Sequence, residues 1–261
     1  MWPSVRAFVR RDFQLERSYR LAFVSEIATV LFSIITFSLV ARLVNPGQVP
    51  GGYFTFATVG LALATFLQVG VVTVASNLRQ DQVMGTLEAL MASGTGVRPL
   101  AAGIVSYPFL TAAIRGVAFG AIAFAFGART VDANWSLAVT AMVLGAISFA
   151  GIALAGAALI LIFRQAVAAT GWLLSIMTLA AGVLFPLHFF PGWAVWIADI
   201  SPFTHTLRVA RDALLEGRSW ASGLGEVGLL VGMAVVFAAL GIGFIAWGLA
   251  WARRSGTLAQ Y

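Results

Sequence analysis

The sequence has no cysteine and no lysine, and charged residues make up only 10% of its 261 positions. Without cysteine there is neither a disulfide nor thiol chemistry, and the usual cue to redox compartment is missing. The absence of lysine excludes a phosphate-binding loop of the GxxxxGK[ST] type, whose lysine reaches the phosphates. Any ATP-driven function therefore requires an ATPase on a separate chain, and ATP and Mg are expected there, with no cofactor here. Histidine is scarce too: His188 and His205 lie far apart with no cysteine to join them, a poor ligand set for a metal. A serine nucleophile such as Ser148, in "GAISFAG", has no histidine base in any apolar run and needs one within hydrogen-bond reach. Catalysis by this chain and a metal site are not expected.

Apolar sequence is what the chain does have. Hydrophobic residues make up 60% of it, and the mean hydropathy is +0.93, far from an average soluble domain. A helix crossing a membrane needs about 20 mostly apolar residues, and six runs qualify: Leu21 to Ala41, Tyr53 to Ala75, Leu100 to Ala128, Ser136 to Phe163, Ala166 to Phe190, and Leu224 to Ala252. Backbone amides in lipid find no water, so the runs must be helices or strands of a closed barrel. They lack the period-two alternation of barrel strands. The expected fold is an all-α membrane protein with six transmembrane helices.

Arginine placement orients the spans, because positively charged short loops stay cytoplasmic. Ten of the sixteen arginines (Arg6, Arg10, Arg11, Arg17, Arg20, Arg79, Arg98, Arg164, Arg253 and Arg254) fall on the side of both termini, and five (Arg42, Arg129, Arg208, Arg211 and Arg218) fall opposite. Both termini are expected in the cytoplasm. The first apolar run follows a charged segment containing Asp12 and Glu16, unlike a cleaved signal peptide, and is expected to remain as a span. The net charge of +6 is explained by this membrane charge rule and does not imply nucleic acid. A basic set made only of arginine suggests a GC-rich bacterial genome, hence the bacterial inner membrane.

One membrane domain over residues 1–261 would then carry three pieces that do not span. In residues 1–20, Val5, Phe8, Val9 and Phe13 recur at helical spacing beside Arg6, Arg10 and Arg17, the pattern of an interfacial helix on lipid. Asp12 and Glu16 interrupt its apolar side and face either a protein partner or a nearby arginine. In the loop 76–99, Val83, Leu87, Leu90 and Met91 share a helical face in and around "GTLEALMAS", and "SGTG" followed by "RP" stops the helix. In residues 186–223, Pro186, Pro191 and Pro202 forbid one continuous helix. This segment is too apolar for a solvated loop and reads as helices that dip into the outer leaflet and return, with Trp193 and Trp196 at the interface.

Two ionisable residues fall inside spans, where charge is costly and marks function. Glu26 lies near the cytoplasmic edge of the first, and Arg115 lies deeper in the third. At about 1.5 Å per residue their depths differ by about 15 Å, too far for a simple pair. Glu26 reaches the interface or an arginine such as Arg20. Arg115 either lines a translocation path or pairs with a carboxylate or helix-end carbonyls.

The motif Gly85-Thr86-Leu87-Glu88 with Leu90, between the second and third spans, resembles the signature of type-2 ABC transporter permeases, the membrane subunits of ABC exporters. The stretch Phe185-Pro186, Pro191-Gly192-Trp193 and Ser201-Pro202-Phe203-Thr204 is similar to that family's second recurring pattern. The resemblance covers nearly the whole chain: interfacial helix, six spans, cytoplasmic coupling helix, and a re-entrant outer hairpin before the last span. It implies that Gly85, Thr86, Leu87, Glu88, Leu90 and Met91 seat in a groove of a partner ABC ATPase. Gly85 would allow close backbone approach, the apolar residues would anchor, and Glu88 would meet the groove's rim. It further implies pairing with a second copy or a related permease, a path between the two, and outward movement of an amphiphilic cargo such as a drug, lipid or lipid-linked glycan. The alternative is a self-contained secondary transporter or channel, in which Glu26 and Arg115 move protons or ions.

Overall fold

The computed structural model describes residues 20–43, 51–86, 96–130, 132–162, 166–184 and 192–255. These residues form eight helices: α1 (Arg20–Ala41), α2 (Tyr53–Val83), α3 (Val97–Ala125), α4 (Trp135–Ile162), α5 (Ala166–Ala180), α6 (Gly192–Ile200), α7 (Pro202–Leu215) and α8 (Trp220–Ser255). The interfacial helix expected over 1–20 lies outside the described residues except for Arg20. Four helices, α2, α3, α4 and α8, are long and apolar enough to cross a membrane. Hydroxyl side chains inside the helices return their hydrogen bonds to the preceding turn, as Thr29, Ser33 and Thr36 do in α1, which removes their demand for a partner in lipid.

Small residues set how closely the helices approach. Gly151 on α4 faces the backbone of Phe237 on α8, and Gly241 on α8 faces the backbone of Gly151. A side chain at either position would collide with main chain, so the two helices meet backbone to backbone in the manner of lipid-buried glycine pairs. The α2–α3 contact is looser and aromatic: the Phe66 and Phe109 rings meet edge-on at 6.3 Å. Phe149 of α4 and Phe203 of α7 do the same at 5.8 Å. Leu67, Leu78, Phe149, Leu161, Leu207 and Ile245, all fully buried, join these helices in one apolar core. A polar tie lies within it, with Gln68 Nε2 of α2 donating to Thr178 Oγ1 of α5 at 2.6 Å.

Several boundaries differ from those expected from composition. Helix α2 runs through Ser76 to Val83, so the second span continues past Ala75 and its last two turns are too polar for lipid. "RP" does not close a helix: Gly96 caps the start of α3, and Arg98 and Pro99 sit in its first turn, where proline has no hydrogen bond to lose. Helix α8 already starts at Trp220.

The largest difference is α5, which ends at Ala180 although the apolar run continues to Phe190. Gly182 turns the chain with φ +71°. Residues 185–191, with Pro186, His188 and Pro191, lie outside the described residues. The chain returns as α6 and α7, and Ser201 caps α7 by accepting from Phe203 N at 3.3 Å, with Pro202 at its first position.

Candidate functional site

The predicted coupling segment begins where α2 ends. Met84 N still donates to Gln80 O at 2.9 Å, and Gly85 then takes φ +72°, the left-handed conformation that stops a helix. Nothing lies within 4 Å of where a Gly85 side chain would start. Among the described residues its glycine is required by the turn and not by a close neighbour. Thr86 folds back, its hydroxyl donating to Asp81 Oδ1 at 2.8 Å and Asp81 O at 3.1 Å. Gly85 and Thr86 are both exposed. Leu87, Glu88, Leu90 and Met91 lie outside the described residues.

At the opposite end of α2 the structure holds a residue that the sequence alone counts only as one of the outer-side arginines. Arg211, on α7, is buried. Its Nη1 donates to Gly182 O at 2.9 Å, and its Nη2 donates to Phe56 O at 3.0 Å and to Val183 O. The guanidinium carbon also stands 3.4 Å from the centre of the Phe56 ring, a cation–π contact. One side chain thus ties the start of α2, the end of α5 and α7. Gly60 makes the room, since a side chain there would meet the guanidinium and the Val183 carbonyl. Burial pushes the Arg211 pKa down to about 9, with the neighbouring Asp212 opposing, so the group is a cation at neutral pH.

Beside it a second cluster fastens the hairpin to α8 and α4. Arg218 Nη1 bridges Asp212 Oδ2 at 2.7 Å and Glu226 Oε2 at 3.0 Å. Asn134 Nδ2 donates to Arg218 O at 3.0 Å, and Trp220 Nε1 to Ser136 Oγ at 2.9 Å. The hydrogen bond to Glu226 raises the Arg218 pKa, while burial raises that of Asp212 against the bond from Arg218. Between these clusters opens a cavity of ≈ 190 Å³, bordered by Phe56, Thr204, Arg208, Arg211, Asp212 and Glu216 among others.

The remaining residues singled out from sequence are dispersed. Arg115 is half-buried on α3 and does not lack a partner. Glu26 lies on α1, its side chain outside the described residues. Ser148 is buried and donates to Leu144 O at 3.1 Å. His205 is bonded through Nε2 to Asp199 O at 2.9 Å. Trp196 is 67% exposed.

An ordered turn at one end of α2 and a buried arginine hub at the other are features of a helical membrane machine, and neither names one. The profile of the ABC-2 type transporters matches residues 3–215. The chain belongs to that family. No curated protein matches it. This ABC-2 chain is accordingly a multi-pass membrane subunit of an ABC transporter, without ATPase activity of its own. The matched stretch takes in the Gly85–Thr86 turn and the Arg211 hub, while all of α8 lies beyond it.

The hub was not found from sequence, although one signal for it exists. Thr204, Leu207, Arg211 and Leu214 recur at three- and four-residue spacing along the buried side of α7. An arginine in register with an apolar stripe is a candidate for burial.

Proposed function

We propose that this ABC-2 permease is the membrane half of an exporter that moves an amphiphilic substrate outward, driven by a separate ABC ATPase, and that it works as a pair with a second copy or a related permease. Family membership carries this reading. The turn after α2 supports it: α2 has 31 residues, about 46 Å at 1.5 Å per residue, against a hydrocarbon core of about 30 Å. Such a helix extends beyond the lipid on the side of Gly85 and Thr86, where Leu87, Glu88, Leu90 and Met91 follow as the surface that the ATPase grips. Closure of the ATPase on ATP pushes this end of α2 and the start of α3 and tilts them against α4 and α8. Arg115 is assigned to the translocation path or its immediate support.

Six crossings are part of this proposal, and the positions of the helix ends support them. Asn134, just before α4, touches Arg218, just before α8, so α4 and α8 start at one end of the bundle. A crossing between the end of α4 and the start of α8 is then expected, and α5 is the helix proposed to make it, its C-terminus held at the level of Phe56 by Arg211. Helix α1, with 22 residues, supplies the sixth: Phe37, Val40 and Ala41 near its end pack on Tyr53 and Phe56.

The test is co-purification of the intact chain with its ATPase, comparing the parent with Glu88→Arg and Gly85→Asn. Asparagine tolerates the left-handed conformation, so Gly85→Asn retains the turn and tests close approach alone. Glu88→Arg is expected to release the ATPase and abolish transport-linked hydrolysis. If the parent purifies alone and conducts ions in liposomes without ATP, the exporter reading fails.

A further inference from the structure

The cavity beside Arg211 is left without a role by ATPase coupling, and its chemistry is specific. Arg208 and Asp212 on α7 and Glu216 at its C-cap follow one another at four-residue spacing, so each is separated from the next by about one helical turn, about 5.4 Å. Positive charge stands toward the start of the helix, with Arg208 and Arg211, and negative charge toward its end. Phe56, Leu207 and Leu215 complete an apolar part of the lining. The volume of ≈ 190 Å³ holds about six waters at about 30 Å³ each, below the range of about 300–1,000 Å³ typical of drug-sized ligands.

Much of this charge is unspent. Arg211 is bonded only to neutral carbonyls, and its Nε has no partner among the described residues; the buried Thr204 hydroxyl has none either. Arg208 reaches Asp199 only at 4.0 Å, with the two side chains 40% and 58% exposed. The Glu216 carboxylate is exposed and makes no ion pair among the described residues. Buried polar groups in native structures find partners, and here the unmet donors belong to Arg211 and Thr204 at one end of the cavity lining, while the exposed Glu216 carboxylate stands at the other.

We infer that the cavity is a binding site for a zwitterionic headgroup of the phosphoethanolamine class. Its phosphate meets Arg208 and the guanidinium of Arg211, its ammonium meets Glu216 and the outer edge of Asp212, and its glycerol end rests on Phe56 and Leu215. The site recognises the headgroup whether it arrives on a membrane phospholipid or as a free phosphodiester, and it holds whatever the exported cargo is.

The experiment is native mass spectrometry of the full chain in detergent with phosphatidylethanolamine, phosphatidylglycerol or phosphatidylcholine added, for the parent and for Arg208→Gln and Glu216→Gln. These two side chains lie at the open rim, and unchanged melting temperatures check that the fold is retained. Phosphatidylethanolamine is expected to bind at least fivefold better than the other two, and each substitution is expected to remove that preference. Displacement by soluble glycerophosphoethanolamine identifies the headgroup as sufficient; displacement by the lipid alone shows that recognition needs the leaflet-borne form. Equal binding of all three lipids, or a preference that survives both substitutions, overturns the site and leaves the cavity to water.

Discussion

A guanidinium held by three carbonyls and a phenyl face, with no carboxylate among the described residues bonded to it, is an expensive group to bury, and its geometry is what makes it tolerable. Arg211 presents a planar fork that matches carbonyls from two segments at once; a lysine ammonium is a point donor and cannot. Hydrogen bonds to a charged group contribute about 1.5–3 kcal/mol each. Arg211→Gln is therefore expected to cost about 3 kcal/mol or more, lowering the melting temperature by about 10 °C at about 2–4 °C per kcal/mol for a chain of this size. Arg211→Lys recovers little of that loss. Gly60→Ala pushes a methyl into the same fork and is expected to destabilise by a similar amount. Because both changes break one contact set, the double variant should lose clearly less than the sum. Thermal unfolding of the four proteins in one detergent measures this, and simple additivity would show that Gly60 and Arg211 act separately. None of it was legible in charge counting, which set Arg211 beside Arg208 and Arg218 as one more loop charge. The number of arginines in a loop sets orientation, but burial of one of them depends on which helix face it shares.

At the scale of elements, long apolar runs announced α2, α3, α4 and α8 because lipid burial and helix length are both written in composition. The end of α5 was not so written. Residues 181–184 are as apolar as those before them, and what terminates the helix is the Gly182 turn together with the capture of the Gly182 and Val183 carbonyls by Arg211, a contact from another part of the chain. Polar termini were misjudged for the opposite reason: Ser76 to Val83 look like loop, yet they continue α2 because nothing in them breaks a helix. Glycine content is equally ambiguous until packing is known. Gly151 and Gly241 form the α4–α8 seam, whereas Gly228 and Gly232, on the same α8, have nothing within 4 Å. Gly151→Ala and Gly241→Ala are expected to overpack the seam by about 1–3 kcal/mol. Gly228→Ala and Gly232→Ala should leave stability unchanged or raise it by up to about 1 kcal/mol, the helix-propensity gain. Unfolding midpoints of the four single variants separate these outcomes, and equal effects at all four positions would mean that α8 does not pack on α4 through its glycines.

For the whole molecule, the lack of cysteine that excluded thiol chemistry becomes an experimental advantage, because each introduced thiol is then the only one. Thr86, after α2, Gly127, after α3, and Ser219, before α8, are all exposed. If α2, α3 and α4 alternate across the membrane, Thr86 and Gly127 lie on opposite sides. If α5 crosses despite its 15 residues, about 22 Å at 1.5 Å per residue, Ser219 lies with Gly127. The arginine asymmetry predicts the absolute direction, with Thr86 in the cytoplasm. A membrane-impermeant maleimide added to intact cells is thus expected to label Gly127→Cys and Ser219→Cys, and to reach Thr86→Cys only after permeabilisation. Labelling of Ser219→Cys together with Thr86→Cys would mean that the segment from α5 to α7 returns to the side it left. The contact between Asn134 and Arg218, which holds the starts of α4 and α8 at one level, would then be the feature of the fold to give up.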